Sequence, residues 1–157
     1  MSKQSRKSVM WLQREKGFTL LELMIVLVIV GVTVAFAYPA YLDNVIKTKR
    51  NDAQGALMAF SSAMERHFVQ NNTFLGAAGT QAVPTNTGSP WIFATEAPLD
   101  GTEKYYDLTI AAATATTYTL RAVPKGTQAG NGWLQIDSVG NRTWNSKDDG
   151  SGADKTW

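Results

Sequence analysis

Few side chains in this sequence carry reactive chemistry, and their placement narrows what the chain can do. Glu22 is the one charge in FTLLELMIVLVIVGVTVAFA, residues 18–37. A carboxylate at the middle of a bilayer costs roughly 2.5–3.5 kcal/mol, less near the interface, so an acid there is a functional candidate. Thr19-x-x-Glu22 also has the form of a capping box, with Thr19 at N-cap and Glu22 reaching back to its N–H. Asp148, Asp149 and Asp154 lie in KDDGSGAD, residues 147–154, and offer oxygen ligands for calcium. They lack the spacing of an EF-hand loop, and a solvated turn fits them better. His67, the only histidine, lies beside an apolar stripe, the place of a packed residue rather than a ligand. Cysteine is absent, which removes disulfides, thiol catalysis and thiolate metal sites. There is no Ser/His/Asp set, phosphate loop or metal-spaced His pair, so we expect neither an enzyme nor a cofactor.

The element that holds Glu22 is long enough to cross a membrane. Twenty helical residues at 1.5 Å each span about 30 Å, the thickness of a bilayer core. Lys3, Arg6, Lys7, Arg14 and Lys16 against Glu15 put a charge of +4 before it, although the whole chain carries only +2. The basic character therefore belongs to a short leader, and Lys47, Lys49 and Arg50 alone follow the run closely, which places the N-terminus on the cytoplasmic side. Two readings stay open on these residues. One is a plain anchor. The other is a secretory signal cut after Ala35-Phe36-Ala37, which the length of the run and its acid oppose.

The junction Lys16-Gly17-Phe18-Thr19-Leu20-Leu21-Glu22 resembles the type IV prepilin signature, in which a basic leader ends in Gly, Phe follows, and an acid comes five residues after the Gly. That resemblance implies cleavage between Gly17 and Phe18 by a prepilin peptidase and N-methylation of Phe18. A residue without Cβ suits the close approach such a peptidase needs. It also implies that Glu22 pairs with the new amine of Phe18 in a neighbouring subunit, setting register more than adding stability. Gly31 and Pro39 weaken the helix between them, and the resemblance implies that residues 31–39 can melt when subunits pack.

Beyond Pro39 the apolar pattern becomes one-sided. Ile46, Ala53, Leu57, Phe60, Met64 and His67/Phe68 recur at helical spacing, so helix is predicted from about Phe18 to Val69. Residues 71–104 read as a surface loop that Trp91-Ile92-Phe93 tucks onto the core. Strands are expected at Tyr105–Ile110, Thr117–Val123, Trp133–Asp137 and Asn141–Trp144, with Ser138–Asn141 closing the last pair as a hairpin. The fold class is α+β: one long N-terminal helix, an apolar transmembrane half and an amphipathic half, packed on a C-terminal antiparallel sheet. The expected organisation is a removed leader, 1–17, a transmembrane and filament-core helix, 18–42, and a globular domain, 43–157. Within that domain we expect helix over 43–70, loop over 71–104, sheet over 105–144 and a C-terminal loop over 145–157.

The later residues resemble pilins too, especially the PilE-like minor type, in Tyr106-Asp107-Leu108-Thr109-Ile110, Thr117-Tyr118-Thr119-Leu120 and Leu134 to Gly140. The resemblance implies a subunit of a type IV pilus, made in the bacterial inner membrane and carried to the surface filament, serving adhesion, twitching motility or DNA uptake. The implied partners are other pilin subunits through the N-terminal helix, a prepilin peptidase and the assembly platform. Alternatives are a type II secretion pseudopilin and a DNA-receptor minor pilin. Residues 71–157 hold six Lys or Arg against eight Asp or Glu, so net charge does not favour DNA, although dispersed cations can still form a local stripe. Many relatives close the C-terminal loop with a disulfide; here Trp157 is expected to fold back near Trp133 and hold the loop by packing.

Overall fold

The computed structural model describes residues 17–79, 86–148, 150–152 and 154–157. Residues 1–16 of the expected leader, Asp149 and Ala153 lie outside them, as do residues 80–85 of the expected loop. The chain divides into two compact units, one ending at Ala40 and one spanning Tyr41–Trp157.

The first unit is helix. Helix α1, Leu20–Asn71, begins in it and runs on into the second unit, passing Gly31 and Pro39 without interruption. Every residue from Gly17 to Asp43 is exposed, so the apolar side chains of this stretch have no interior to enter. It is long and apolar enough to cross a membrane.

In the second unit the same helix gains a buried face. Ala53, Ala56, Leu57, Phe60 and Met64 are enclosed at the spacing that puts them on one stripe. They pack against a six-stranded antiparallel meander, β1 to β6 in chain order. The strands are β1, Glu96–Ala97; β2, Tyr106–Ala113; β3, Tyr118–Pro124; β4, Leu134–Asp137; β5, Arg142–Asn145; and β6, Asp154–Thr156. Alternation does the sorting: Tyr106, Leu108 and Ile110 of β2, Tyr118, Leu120 and Ala122 of β3, and Leu134 and Ile136 of β4 all face the core. Phe93 stacks on Phe60 with ring centroids 5.2 Å apart, and Ile92 also joins the core, whereas Trp91 stays 83% exposed. Only two of those three expected anchors therefore hold the loop.

The four expected strands are present within a few residues. Two further strands fall where loops were expected, β1 within 71–104 and β6 within 145–157. Both are too short to show alternation, and both exist because a neighbouring strand presents a free edge.

Candidate functional site

At the N-terminal junction Gly17, Phe18 and Thr19 precede the first turn of α1. Phe18 is 77% exposed, and a Cβ at Gly17 would meet nothing within 4 Å. Thr19 caps the helix: its Oγ1 accepts the Glu22 N–H at 3.1 Å and its carbonyl accepts the Leu23 N–H at 3.2 Å. The Glu22 side chain is exposed, and its carboxylate has no hydrogen bond or ion pair among the described residues. A wholly apolar depression of about 300 Å³ lies beside it, lined by Leu21, Met24, Ile25, Val28 and Ile29.

Of the candidate calcium ligands, Asp148 and Asp154 are described, and each is bonded to a different part of the chain. Asp148 accepts the backbone N–H of Gly130 at 2.6 Å and of Gly132 at 2.8 Å, and Asp154 accepts the Asn145 amide at 2.8 Å. Among the described residues no group of three His, Cys, Asp or Glu is placed to hold a metal. His67 is a structural residue, with Nε2 against the Leu75 carbonyl at 3.0 Å and Nδ1 facing the Asn71 amide at 3.2 Å. That pairing fixes the proton on Nε2.

The sheet face turned away from the helix is polar and ordered by strand register. Thr109, Arg121, Gln135, Thr143 and Thr156 pair in succession across β2, β3, β4, β5 and β6, forming one row perpendicular to the strands. The Arg121 guanidinium donates to Gln135 Oε1 at 3.0 Å and lies 4.3 Å from the Trp133 ring centre. At the β6 end the row opens into a depression of about 540 Å³ that also includes Asp137, Asn141 and Arg142. On the opposite, helix-facing side other cations rest on tryptophans: Arg50 and Lys155 lie 3.8 and 5.3 Å from Trp144, and Arg142 lies 5.4 Å from Trp157.

Several acids of this unit are committed elsewhere. Glu96 and Asp107 both bind Lys125, raising its pKa above the ordinary lysine value, with the Asp107 bond the larger cause. Burial raises the Asp137 carboxyl, but bonds from the Asn141 side chain and from backbone N–H groups of the 138–141 turn outweigh it and leave the pKa below the usual aspartate value. Net charge does not report this distribution. The carboxylates are spent on turns and on one lysine, while Arg121, Arg142 and Lys155 have aromatic partners that leave their charge intact. Register and ring contacts carry that signal, and composition does not.

Comparison with known proteins places these features in a family. The prokaryotic N-terminal methylation motif matches residues 12–38. The family described as type IV minor pilin ComP, DNA uptake sequence receptor, matches residues 39–132. The type IV major alpha-pilin of Moraxella bovis is 41% identical over 38% of this chain and 37% of its own length. The fimbrial protein of Pseudomonas aeruginosa is 32% identical over 59% of this chain and 58% of its own. The type II secretion system core protein G of Pectobacterium carotovorum is 36% identical over 39% of each. The chain thus spans less than two thirds of the length of these curated relatives. A solved structure of the Neisseria meningitidis non-core minor pilin PilV overlaps 66% of this chain and 90% of its own at 16% identity, with a TM-score of 0.48. With a matched segment that covers more than half of it, this chain belongs to the ComP family of type IV minor pilins.

Proposed function

We propose that this chain is a minor subunit of a type IV pilus whose sheet face contacts DNA during uptake. The observation that carries the DNA reading is the row Thr109, Arg121, Gln135, Thr143 and Thr156, in which the Arg121 guanidinium is partnered by an amide oxygen and a tryptophan ring rather than by a carboxylate. Guanidinium groups bind phosphate, while amide and hydroxyl side chains can meet base edges or sugar. The match to a family described as DNA uptake sequence receptors supports the same reading.

Residues 1–17 act as a leader removed between Gly17 and Phe18, Phe18 is methylated, and residues 18–42 hold the precursor in the inner membrane before entering the filament core. The partners are a prepilin peptidase, the assembly platform and other pilins. Glu22 pairs with the Phe18 amine of a neighbour, a role its exposed carboxylate leaves open. The capping role of Thr19 does not compete with it, because the Thr19 hydroxyl bonds the Glu22 backbone rather than its side chain. Gly31 and Pro39 let the helix loosen during packing.

The test is binding of a fluorescent duplex to the detergent-solubilised full chain across a salt series. Arg121→Ala should weaken binding and lower the slope of log K against log salt by about 1, whereas Arg142→Ala, on the helix-facing side of the sheet, should change both less. Wild-type affinity and slope in Arg121→Ala would overturn the DNA surface while leaving pilus assembly untouched.

A further inference from the structure

We infer that Asn145 is the lock of a non-covalent clasp holding β6 and Trp157 on the sheet, and that this clasp opens as one unit ahead of the other strands. The lock occupies the place where a short terminal segment would otherwise have little to hold it. Every residue of β6 is exposed, so the strand itself buries no apolar side chain.

Asn145 is only 2% exposed, and its amide is used at both ends. Nδ2 donates to the carbonyl of Gly150 at 3.1 Å, the carbonyl of Gly152 at 2.9 Å and Asp154 Oδ1 at 2.8 Å. Oδ1 accepts the N–H of Lys147 at 3.1 Å and of Gly152 at 3.2 Å. One side chain thereby gathers the turn after β5 and the first residue of β6. The chain passes so closely that a Cβ at Gly152 would lie 2.4 Å from Ser146 Oγ and 2.9 Å from Asn145 Oδ1. Beneath the lock, a Cβ at Gly132 would lie 1.7 Å from the Asn145 carbonyl oxygen, so the β5 end is seated on bare backbone. Two outlying bonds finish the clasp: Asp148 to the Gly130 and Gly132 N–H groups, and the Trp157 indole N–H to the Thr143 carbonyl at 2.8 Å.

Such a clasp has a characteristic energetics. Its bonds exchange with water bonds on opening, so each contributes little net stability, whereas β2 to β4 cannot open without exposing fully buried side chains. Opening removes Lys155 from Trp144 and Thr156 from the polar row, and bares the edge of β5. The device is independent of the DNA reading, because it rests on hydrogen bonds within the chain.

NMR-detected hydrogen exchange on the full chain in detergent micelles tests it. The probes are the Lys147 and Gly152 amides and the Trp157 indole N–H, set against the Leu108 and Ile110 amides, which bond to the Thr95 and Gly88 carbonyls. The three clasp probes should share one opening constant, at least on the order of tenfold larger than that of the β2 pair. Asn145→Ala should speed all three further and leave Leu108 and Ile110 unchanged. Asp154→Ala removes one of the three bonds that Asn145 Nδ2 donates and leaves the accepted ones, so it should fall between, and it serves if the Asn145 alanine variant does not fold. Clasp probes that exchange with β2, that exchange with unrelated constants, or that accelerate together with β2 in either variant would overturn the inference.

Discussion

In the stretch Leu20–Ala40 the helix exposes side chain after side chain, Leu20 at 77% and Val26 at 49%, whereas farther along the same helix Leu57, Phe60 and Met64 are completely enclosed. The backbone geometry is common to both stretches, so what differs is the solvent each was written for. The first is rich in Val, Ile and Leu all round, and a helix apolar on every side needs lipid or other helices about it. The second is apolar on one stripe only and finds its partner in its own sheet. Helical periodicity therefore reports whether a segment is completed by its own chain or by something else.

That contrast can be broken most forcefully at Phe60. Phe60→Ala should destabilise the unit Tyr41–Trp157 by about 3–5 kcal/mol, read as a lower denaturant midpoint of the full chain in micelles. Leu27→Ala, in the exposed stretch, should leave that midpoint where it was, while impairing incorporation into filaments. A comparable loss from both variants would mean that the first stretch is packed on its own chain after all.

Glu22→Ala sharpens the comparison from the other side. Cleavage after Gly17 should persist and the midpoint should not move, yet the variant should enter filaments poorly beside wild type. Equal incorporation would reduce Glu22 to a bystander of the Thr19 cap. Smaller is the effect expected at the helix–sheet bridge, where the Tyr118 hydroxyl donates to Glu65 at 3.0 Å and contacts Ser61 Oγ at 2.8 Å. Burial, with the Glu65 bond adding to it, pushes the Tyr118 pKa up to about 12, so this bridge keeps its proton through the physiological range. Tyr118→Phe should lose about 1 kcal/mol. The smallest effect is acid-dependent. The Asp137 pKa is depressed in the fold, so its contribution is present above the unfolded pKa and disappears as pH falls through the folded one. Asp137→Asn should thus narrow the gap in midpoint between neutral and acid solution, by an amount set by one partly exposed turn.

The helix and the four longer strands were legible in the sequence because each repeats a period often enough to be counted. Tyr118-Thr119-Leu120-Arg121-Ala122 alternates cleanly, and Ala53, Leu57, Phe60 and Met64 keep one stripe. Strands β1 and β6 could not be read this way, because two or three residues define no period. The expectation for Trp157 was half met. It does fold back onto the sheet, but its indole bonds the Thr143 carbonyl and its ring lies beside Arg142, while Trp133 is matched with Arg121. The bonds that gather the C-terminal loop centre instead on the Asn145 amide, a residue no composition would single out, because its place comes entirely from the five groups that the chain folds around it. The polar row on the outer sheet face escaped for the same reason. Thr109, Arg121, Gln135, Thr143 and Thr156 are far apart in sequence and meet only through register.

The enclosed helical stripe also decides how the Tyr41–Trp157 unit bears load. Tension applied at Tyr41 and directed along the helix axis would pull Ala53, Leu57, Phe60 and Met64 sideways across the side chains that clasp them. Contacts strained in that sense share the force and must yield together, unlike a strand peeled from an edge one bond at a time. The unit Tyr41–Trp157 is thus mechanically stronger against tension along its helix than against peeling of an edge strand. Its weakest direction is the opposite end of the chain, where β6 meets the sheet along a single short border.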